Sequence, residues 1–320
     1  MNARDSSDGR DRPFVSVVVP VYNDPEGVAV TVSSLVEQTY PTDRYEVLVV
    51  DNDSTDDTRD VVRRFEREHP VVTLLVEDEV QSSYAARNRG IDAARADGDL
   101  VAFVDADMEA PPDYLADVVD SAATRGWDYL GVRVELFTEG SETAVSEWDR
   151  LYGFRERKSL EADHFAPTNS LVVRREVLDA VGDFDERLAS SGDYEFGRRV
   201  HAAGFEQAFE PDIVLRHPAR RTLRAFVNKY LRVGRGYTQL SRLHPDLFHQ
   251  PPVWDPRHFL PPNPVAFRRV LRDRSDRRVG VRTALAVYLV LWLQKLVLVA
   301  GRLSERREAR SSNSSDGVVA

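Results

Sequence analysis

The sequence predicts an α/β protein: an open, mostly parallel sheet with helices on both faces, followed by a basic, membrane-associated helical extension. Three observations carry this expectation. Over about the first hundred residues, β-branched runs alternate with helix-period stretches. Those runs end in clusters of Asp and Asn. The charge also divides sharply near residue 215.

Taken in order, residues 14–21 (FVSVVVPV) form a β-branched run that ends at Tyr22-Asn-Asp-Pro25 and predict a buried strand. A helical pattern follows over 27–38. Residues 45–50 (YEVLVV) predict a second strand, ending at Asp51-Asn-Asp-Ser-Thr-Asp-Asp57. Ser54 and Asp57 have capping-box spacing, so a helix is expected over about 56–67. Residues 71–76 give a third strand and 82–96 a helix. Residues 100–104 (LVAFV) give a fourth strand, ending at Asp105-Ala-Asp107. Buried strands alternating with helices argue for a parallel sheet covered on both faces.

Beyond residue 110 the pattern changes. Strands are expected over 129–137 and 170–173. A charged helix is expected over 141–160, a mostly helical stretch broken at Gly182 over 175–203, and a helix with a basic face over 222–243. Residues 245–264 are Pro-rich and read as irregular. The expected domain plan is a flexible start (1–12), a catalytic domain (13–220), a basic helical extension (221–302) and a disordered tail (303–320).

Residues 216–320 hold 21 Lys and Arg against 7 Asp and Glu, a net of +14; the chain total of −10 therefore leaves −24 for residues 1–215. The acidic part is expected to face solvent and the basic part to meet an anionic partner, a membrane or a phosphorylated substrate. No nucleic-acid motif accompanies the basic residues, so no nucleic-acid partner is expected. Cysteine is absent, which excludes disulfides, thiolate catalysis and Cys-based zinc sites. Only three of the 43 basic residues are lysine, a composition that suits a salt-rich cytoplasm. The first dozen residues lack the apolar core of a secretory signal, so the catalytic part is expected on the cytoplasmic face of the membrane.

In an open parallel sheet, ligands bind outside the carboxyl ends of the strands. Three polar clusters fall at that edge: Tyr22-Asn23-Asp24, Asp51-Asn52-Asp53 and Asp105-Ala106-Asp107. A lone Asp after a strand is often a helix cap, and Asp53 reads equally as a cap or a ligand contact. The pair Asp105 and Asp107 is different. Two carboxylates ~4 Å apart repel by roughly 4 kcal/mol at an effective dielectric near 20, and a divalent cation turns that repulsion into attraction. Oxygen ligands of this kind suit Mg²⁺ or Mn²⁺ held against a diphosphate. Arg87, on the helix between these strands, lies either against a nucleotide or in a surface salt bridge.

The motifs Pro20-Val-Tyr-Asn-Asp24, Val50-Asp-Asn-Asp-Ser-Thr-Asp-Asp-Thr58, Ala86-Arg-Asn-Arg-Gly90 and Phe103-Val-Asp-Ala-Asp107 occur in that order. Thr168-Asn-Ser-Leu-Val-Val-Arg-Arg175, Val181-Gly-Asp-Phe-Asp185 and Ser191-Gly-Asp-Tyr-Glu-Phe196 follow. Together they resemble the family 2 inverting glycosyltransferases of GT-A fold, over about residues 14–240; membrane-associated archaeal transferases of lipid-linked glycan assembly are the variety most resembled. The resemblance implies a Rossmann-like sheet and a nucleotide-sugar donor, probed by Pro20, Tyr22, Asn23, Asp51, Asp53, Arg87 and Asp105. It implies that Asp51 bonds the nucleobase, expected to be uracil, and that Asp105 and Asp107 form the Asp-x-Asp metal motif. It implies that Asp193 is the general base, although the family's usual Glu-Asp is Gly192-Asp193 here, with Glu195 as fallback. His217, expected after a strand, is either a third metal ligand or structural. A nucleotidyltransferase shares the sheet and metal logic but needs a Gly-rich basic loop after the first strand, which is missing. A non-catalytic sugar-nucleotide-binding protein is the other alternative, and intact Asp105, Asp107 and Asp193 argue against it.

Residues 284–300 (ALAVYLVLWLQKLVLVA) are apolar except for Gln294 and Lys295, and seven arginines occupy 268–282. Ten Leu and Val contribute about −3 to −6 kcal/mol toward insertion, and Lys295 opposes it by up to about 3.5 kcal/mol. The stretch, expected to be a helix over 283–301, falls short of the ~20 residues that span a bilayer. An interfacial helix is favoured over a spanning one, with a lipid-linked saccharide as acceptor.

Overall fold

The computed structural model describes residues 12–274 and 279–316. Residues 1–11 of the expected flexible start (1–12), Arg277 and Arg278 of the arginine run, and the last four residues lie outside that range. In chain order the elements are β1 (Val15–Val21), α1 (Pro25–Val36), β2 (Tyr45–Asp51), α2 (Thr58–Glu68), β3 (Val72–Val76), α3 (Ser83–Ala93), β4 (Leu100–Val104), α4 (Tyr114–Arg125) and β5 (Tyr129–Phe137). They continue with α5 (Ala144–Tyr152), α6 (Glu156–Asp163), β6 (Ser170–Arg174), α7 (Arg175–Val181), α8 (Gly192–Ala202), β7 (Gln207–Pro218), α9 (Leu223–Leu243), α10 (Pro264–Arg274) and α11 (Val281–Asp316).

The chain divides into two compact units. The first comprises residues up to Glu135, Glu156–Glu186 and Phe196–His217; the second comprises Leu136–Arg155, Arg187–Glu195 and the residues from Pro218 onward. The boundary expected at residue 220 is thus interrupted twice, and the segment carrying Asp193 clusters with the second unit.

The sheet has seven strands in the order β3-β2-β1-β4-β6-β5-β7. The first four are parallel, as the alternation predicts. β6 then runs antiparallel to both β4 and β5, so the sheet is mixed beyond β4. Buried on both faces, β1, β2 and β4 are apolar almost throughout, as covered parallel strands require. Their register decides where the site lies. Val21 pairs with Asp51, and Val18 with Phe103, so the three polar clusters emerge at one edge. Because β6 enters in reverse, Ser170 pairs with Val104 and brings Thr168 and Asn169 to that same edge.

Other expectations need correcting. The single helix expected over 141–160 is two, α5 and α6. The Gly153 amide bonds to Asp149 O, and a β-carbon at Gly153 would lie 2.2 Å from that carbonyl, so the helix closes there. The expected capping box at Ser54 is absent: Asp57 is the N-cap without a side-chain bond, and the Ser54 hydroxyl instead accepts from the Asn23 amide. Residues 183–191 are not helical; Gly182, at φ 76°, ends α7.

The second unit centres on aromatic packing. Trp148 stands edge-on to Phe226 and Tyr230, with ring centroids 5.0 and 5.4 Å away. Val287, Val290 and Val297 of α11 complete this core. α9 and α11 meet backbone to backbone: a β-carbon at Gly234 would lie 2.3 Å from Leu298 O, and one at Gly301 2.2 Å from Leu231 O. α11 continues through Asp316, where a disordered tail was expected from 303. Side chains on α9 hold that continuation: Arg235 pairs with Glu308 at 2.5 Å, and Gln239 and Arg242 bond Glu305.

Candidate active site

At the end of β1, Asn23 adopts φ 50°, a left-handed turn that Asn tolerates. Its amide donates to Ser54 Oγ at 2.9 Å, and its side-chain oxygen accepts from the Thr55 amide at 2.8 Å. Asp24 caps α1 through the Gly27 amide, and its own amide donates to Thr58 Oγ1. These bonds knit the loops after β1 and β2 together. Asn23 is thus committed to the loop framework, while Tyr22 stands half exposed beside it. Pro20 lies within β1, opposite Val50.

Asp51 closes β2 and is completely buried. Its Oδ2 accepts from Arg59 Nε at 2.5 Å and from the Ser54 amide at 3.1 Å. Its Oδ1 is buried with no hydrogen-bond partner. A buried carboxylate oxygen left in this state costs free energy unless a ligand donor reaches it. Arg59 also bonds Asp53 Oδ1 at 3.2 Å, and its guanidinium is held above its ordinary pKa chiefly by Asp51. Asp53, at φ 61° and exposed, is therefore an ion-pair partner and no helix cap. The cap-like bonding belongs to Asp56, whose carboxylate accepts from the Thr58 amide and hydroxyl and is held below its ordinary range mainly by that hydroxyl.

Asp105 Oδ1 accepts from Arg87 Nη2 at 2.6 Å. Arg87 is buried, so this pair is not a surface salt bridge. The turn that follows is clamped by Thr31, whose hydroxyl donates to Met108 O at 2.7 Å and accepts from the Met108 amide at 2.9 Å. Asp107 Oδ1 lies 3.4 Å from His217 Nε2. A bridge between Glu109 and Arg216, reinforced by their 2.7 Å ion pair, brings His217 there. His217 is buried and lies inside β7 rather than after it.

No three acidic or histidine side chains among the described residues gather in metal-binding geometry. Asp107 and His217 converge, whereas Asp105 is drawn to Arg87. The donor set still fits a hard or borderline divalent cation: two partly exposed carboxylates with an imidazole beside one of them.

Asn169, at the same sheet edge, is buried with its Oδ1 unbonded. Asp193 is the second residue of α8, and its Oδ1 accepts from the Tyr194 amide. Glu195 is buried one turn in. The preceding segment is fixed within its own unit by Gln239, which accepts from the Ala189 amide at 2.8 Å, and by Gly236, where a β-carbon would lie 2.5 Å from Ser190 O.

Sequence reasoning passed over Arg59, Thr31 and Asn169. Arg59 follows directly on the Asp51–Thr58 run, and Asn169 sits inside a motif already singled out, so both had a signal. Thr31, mid-helix, had none.

Known proteins share this architecture. The mannosyltransferase PcManGT of Pyrobaculum calidifontis superposes with a TM-score of 0.63 at 22% identity, covering 95% of this chain and 90% of that one. S. aureus TarS gives a TM-score of 0.54 at 16% identity, covering 93% and 92%. Glycosyltransferase AglE of Haloferax volcanii is 35% identical over 295 residues, which is 91% of this chain and 96% of that protein. The family described as glycosyl transferase family 2 matches residues 16–182, the stretch that supplies Asp51, Arg87, Asp105, Asp107 and Asn169. With that match over half its length and a relative aligned almost end to end, this chain belongs to glycosyl transferase family 2.

Proposed function

We propose that the chain transfers a glycosyl group, with inversion, from a nucleotide-diphosphate sugar to a lipid-linked acceptor, using Mg²⁺ or Mn²⁺. The observation that carries this reading is the buried Asp51 carboxylate, whose Oδ1 has no partner at the sheet edge that also presents Asp105 and Asp107. A uracil N–H is a donor of the right kind for that oxygen, and Arg59 orients the carboxylate by bonding its other oxygen. PcManGT is described in complex with GDP-Man and Mn²⁺, and TarS with UDP-GlcNAc, which supports a nucleotide-sugar donor here.

Asp105, Asp107 and His217 are the residues that would hold the cation. Bound there, it would offset charge developing on the leaving diphosphate. Arg87 positions the Asp105 carboxylate, and Thr31 holds the turn that carries both acids. Asp193 takes the proton of the acceptor hydroxyl. The freed oxygen attacks the anomeric carbon as the bond to the diphosphate breaks, and the nucleoside diphosphate leaves with the electron pair. Asp53, Tyr22 and Asn23 border the nucleotide. The acceptor reading, a polyprenol- or dolichol-phosphate-linked saccharide used in surface glycan or protein glycosylation at the cytoplasmic face, rests on the basic, apolar second unit.

Calorimetric titration of UDP- and GDP-sugars, with and without Mn²⁺, tests the reading. One donor should bind only with metal, lose binding in Asp105→Ala/Asp107→Ala, and keep it in Asp193→Asn. That last variant should lose transfer by roughly 10²-fold or more. Donor binding that ignores both the metal and the two aspartates would overturn it.

A further inference from the structure

α11 contains a stretch long and apolar enough to cross a membrane, yet only 28% of its apolar window is buried. The open part is a stripe. Leu285, Leu289 and Leu296 are 60%, 51% and 37% exposed and fall within about 40° of one another around a helix of 3.6 residues per turn. One flank of that stripe is occupied by the irregular, proline-rich segment before α10. Tyr288 Oη donates to Pro262 O at 2.6 Å, Trp292 Nε1 to Phe259 O at 3.0 Å and Lys295 Nζ to Leu260 O at 2.6 Å. Farther along, Arg302 Nη2 donates to Pro251 O at 2.6 Å. The segment therefore runs antiparallel beside α11 as a strap. It adds its own exposed apolar side chains, Phe259 and Leu260, next to the stripe.

This strap bears on how α11 meets lipid. Were the helix to span, the backbone from Pro251 to Pro262, irregular apart from a single 3-10 turn at Pro256–His258, would be carried to bilayer depth with Phe259 and Leu260 facing outward. Lipid-exposed irregular backbone does not occur in the hydrocarbon region. Lys295 would be held there too, since its ammonium is tied to Leu260 O rather than extended toward an interface. An interfacial helix meets neither objection. Charge on the same unit points to the lipid class. Arg282 sits at the head of the stripe, and α10, packed on α11 through Phe267 against Tyr288, carries Arg268 and Arg269. These three arginines are exposed and make no ion pair among the described residues.

We propose that the second unit docks on an anionic lipid surface as a monotopic element. α11 lies in the plane of the headgroup–acyl boundary, Leu285, Leu289, Leu296, Phe259 and Leu260 enter the lipid, and Arg268, Arg269 and Arg282 engage lipid phosphates. The proposal rests on the membrane placement in the proposed function and deepens it. Its test uses no sugar, so its failure and the failure of glycosyl transfer are distinguishable.

The chain has no cysteine, so single-Cys variants label at one place. The full chain carrying Leu285→Cys, Leu289→Cys or Leu296→Cys is labelled with bimane and bound to phosphatidylglycerol vesicles whose acyl chains are brominated at shallow or deep positions. All three labels should report one shallow depth. In a spanning helix, positions 285 and 296 would differ in depth by about 16 Å, and a graded depth overturns the proposal. Flotation should occur with phosphatidylglycerol, fall about fivefold for each of Arg268→Glu and Arg269→Glu, and be weak with phosphatidylcholine. Absence of flotation, or equal flotation with both lipids, overturns it. So does a lipid-free dimer in sedimentation equilibrium that Leu289→Glu abolishes, because a second copy of the chain would then cover the stripe.

Discussion

Thr31 clamps the turn that carries the two proposed metal-binding aspartates. Its hydroxyl both donates to and accepts from the backbone of Met108, just past the turn that carries Asp105 and Asp107, and all of these atoms are buried. Thr31→Val keeps the shape and deletes both bonds. Each buried group left unbonded costs about 1–3 kcal/mol, so the urea midpoint should fall by an amount matching a loss in that range. Metal-dependent donor binding should weaken with it, because the turn loses its clamp. An unchanged midpoint together with unchanged binding would show that the turn holds its shape without Thr31. Arg59 acts at the same scale. By bonding Oδ2 of Asp51 it leaves Oδ1 as the open acceptor of that carboxylate, which under the proposed function would set the direction from which a nucleobase is read.

Among the elements, α9 has the closest link to the proposed base. Gly236 lets its backbone approach Ser190, three residues before Asp193. Gly236→Ala gains about 1 kcal/mol of helix propensity, but its β-carbon would meet the Ser190 carbonyl at 2.5 Å, so the 187–195 segment has to shift. The expected result is a kcat at least about tenfold lower with donor affinity preserved, read from steady-state kinetics beside calorimetry; an unchanged kcat would remove α9 as the support of Asp193. How well each element was legible in the sequence has a physical pattern. β1, β2 and β4 were readable because strands buried on both faces leave continuous β-branched runs, and their polar ends announced Asp51, Asp105 and Asp107. A run of apolar residues has no direction, so the reversal of β6, and with it the arrival of Asn169 at the sheet edge, could not be read. The α5–α6 break at Gly153 was hidden by charged residues on both sides, because a glycine inside a helical pattern is often tolerated. The helix beyond Arg302 was missed because its support is distant in sequence: Glu305 and Glu308 answer to Gln239, Arg242 and Arg235. His217 was placed after a strand because its approach to Asp107 depends on the Glu109–Arg216 bridge, which is likewise non-local.

For the whole molecule, the division of charge makes salt act in two opposite directions. Residues 1–215 carry a net of −24 and residues 216–320 a net of +14. Crowded carboxylates on the acidic part repel one another and destabilise its compact state, and that repulsion is screened as the Debye length falls from ~10 Å at 0.1 M salt to ~3 Å at 1 M. The melting temperature should therefore rise with KCl, by about 2–4 °C for each kcal/mol of repulsion relieved. The same screening weakens the attraction of Arg268, Arg269 and Arg282 to anionic vesicles, so flotation should decline over the range in which stability climbs. Apolar entry by Leu285, Leu289 and Leu296 is not screened and should leave a residue of binding that salt does not remove. Thermal melts and flotation over one KCl series measure both curves. Opposite slopes are expected if the carboxylates of the acidic part repel one another and the arginines of the basic part supply most of the attraction to anionic lipid. A melting temperature indifferent to KCl would mean that the acidic surface is already neutralised by its own ion pairs, of which Arg59 with Asp51, Arg87 with Asp105 and Arg150 with Glu147 are partly buried examples.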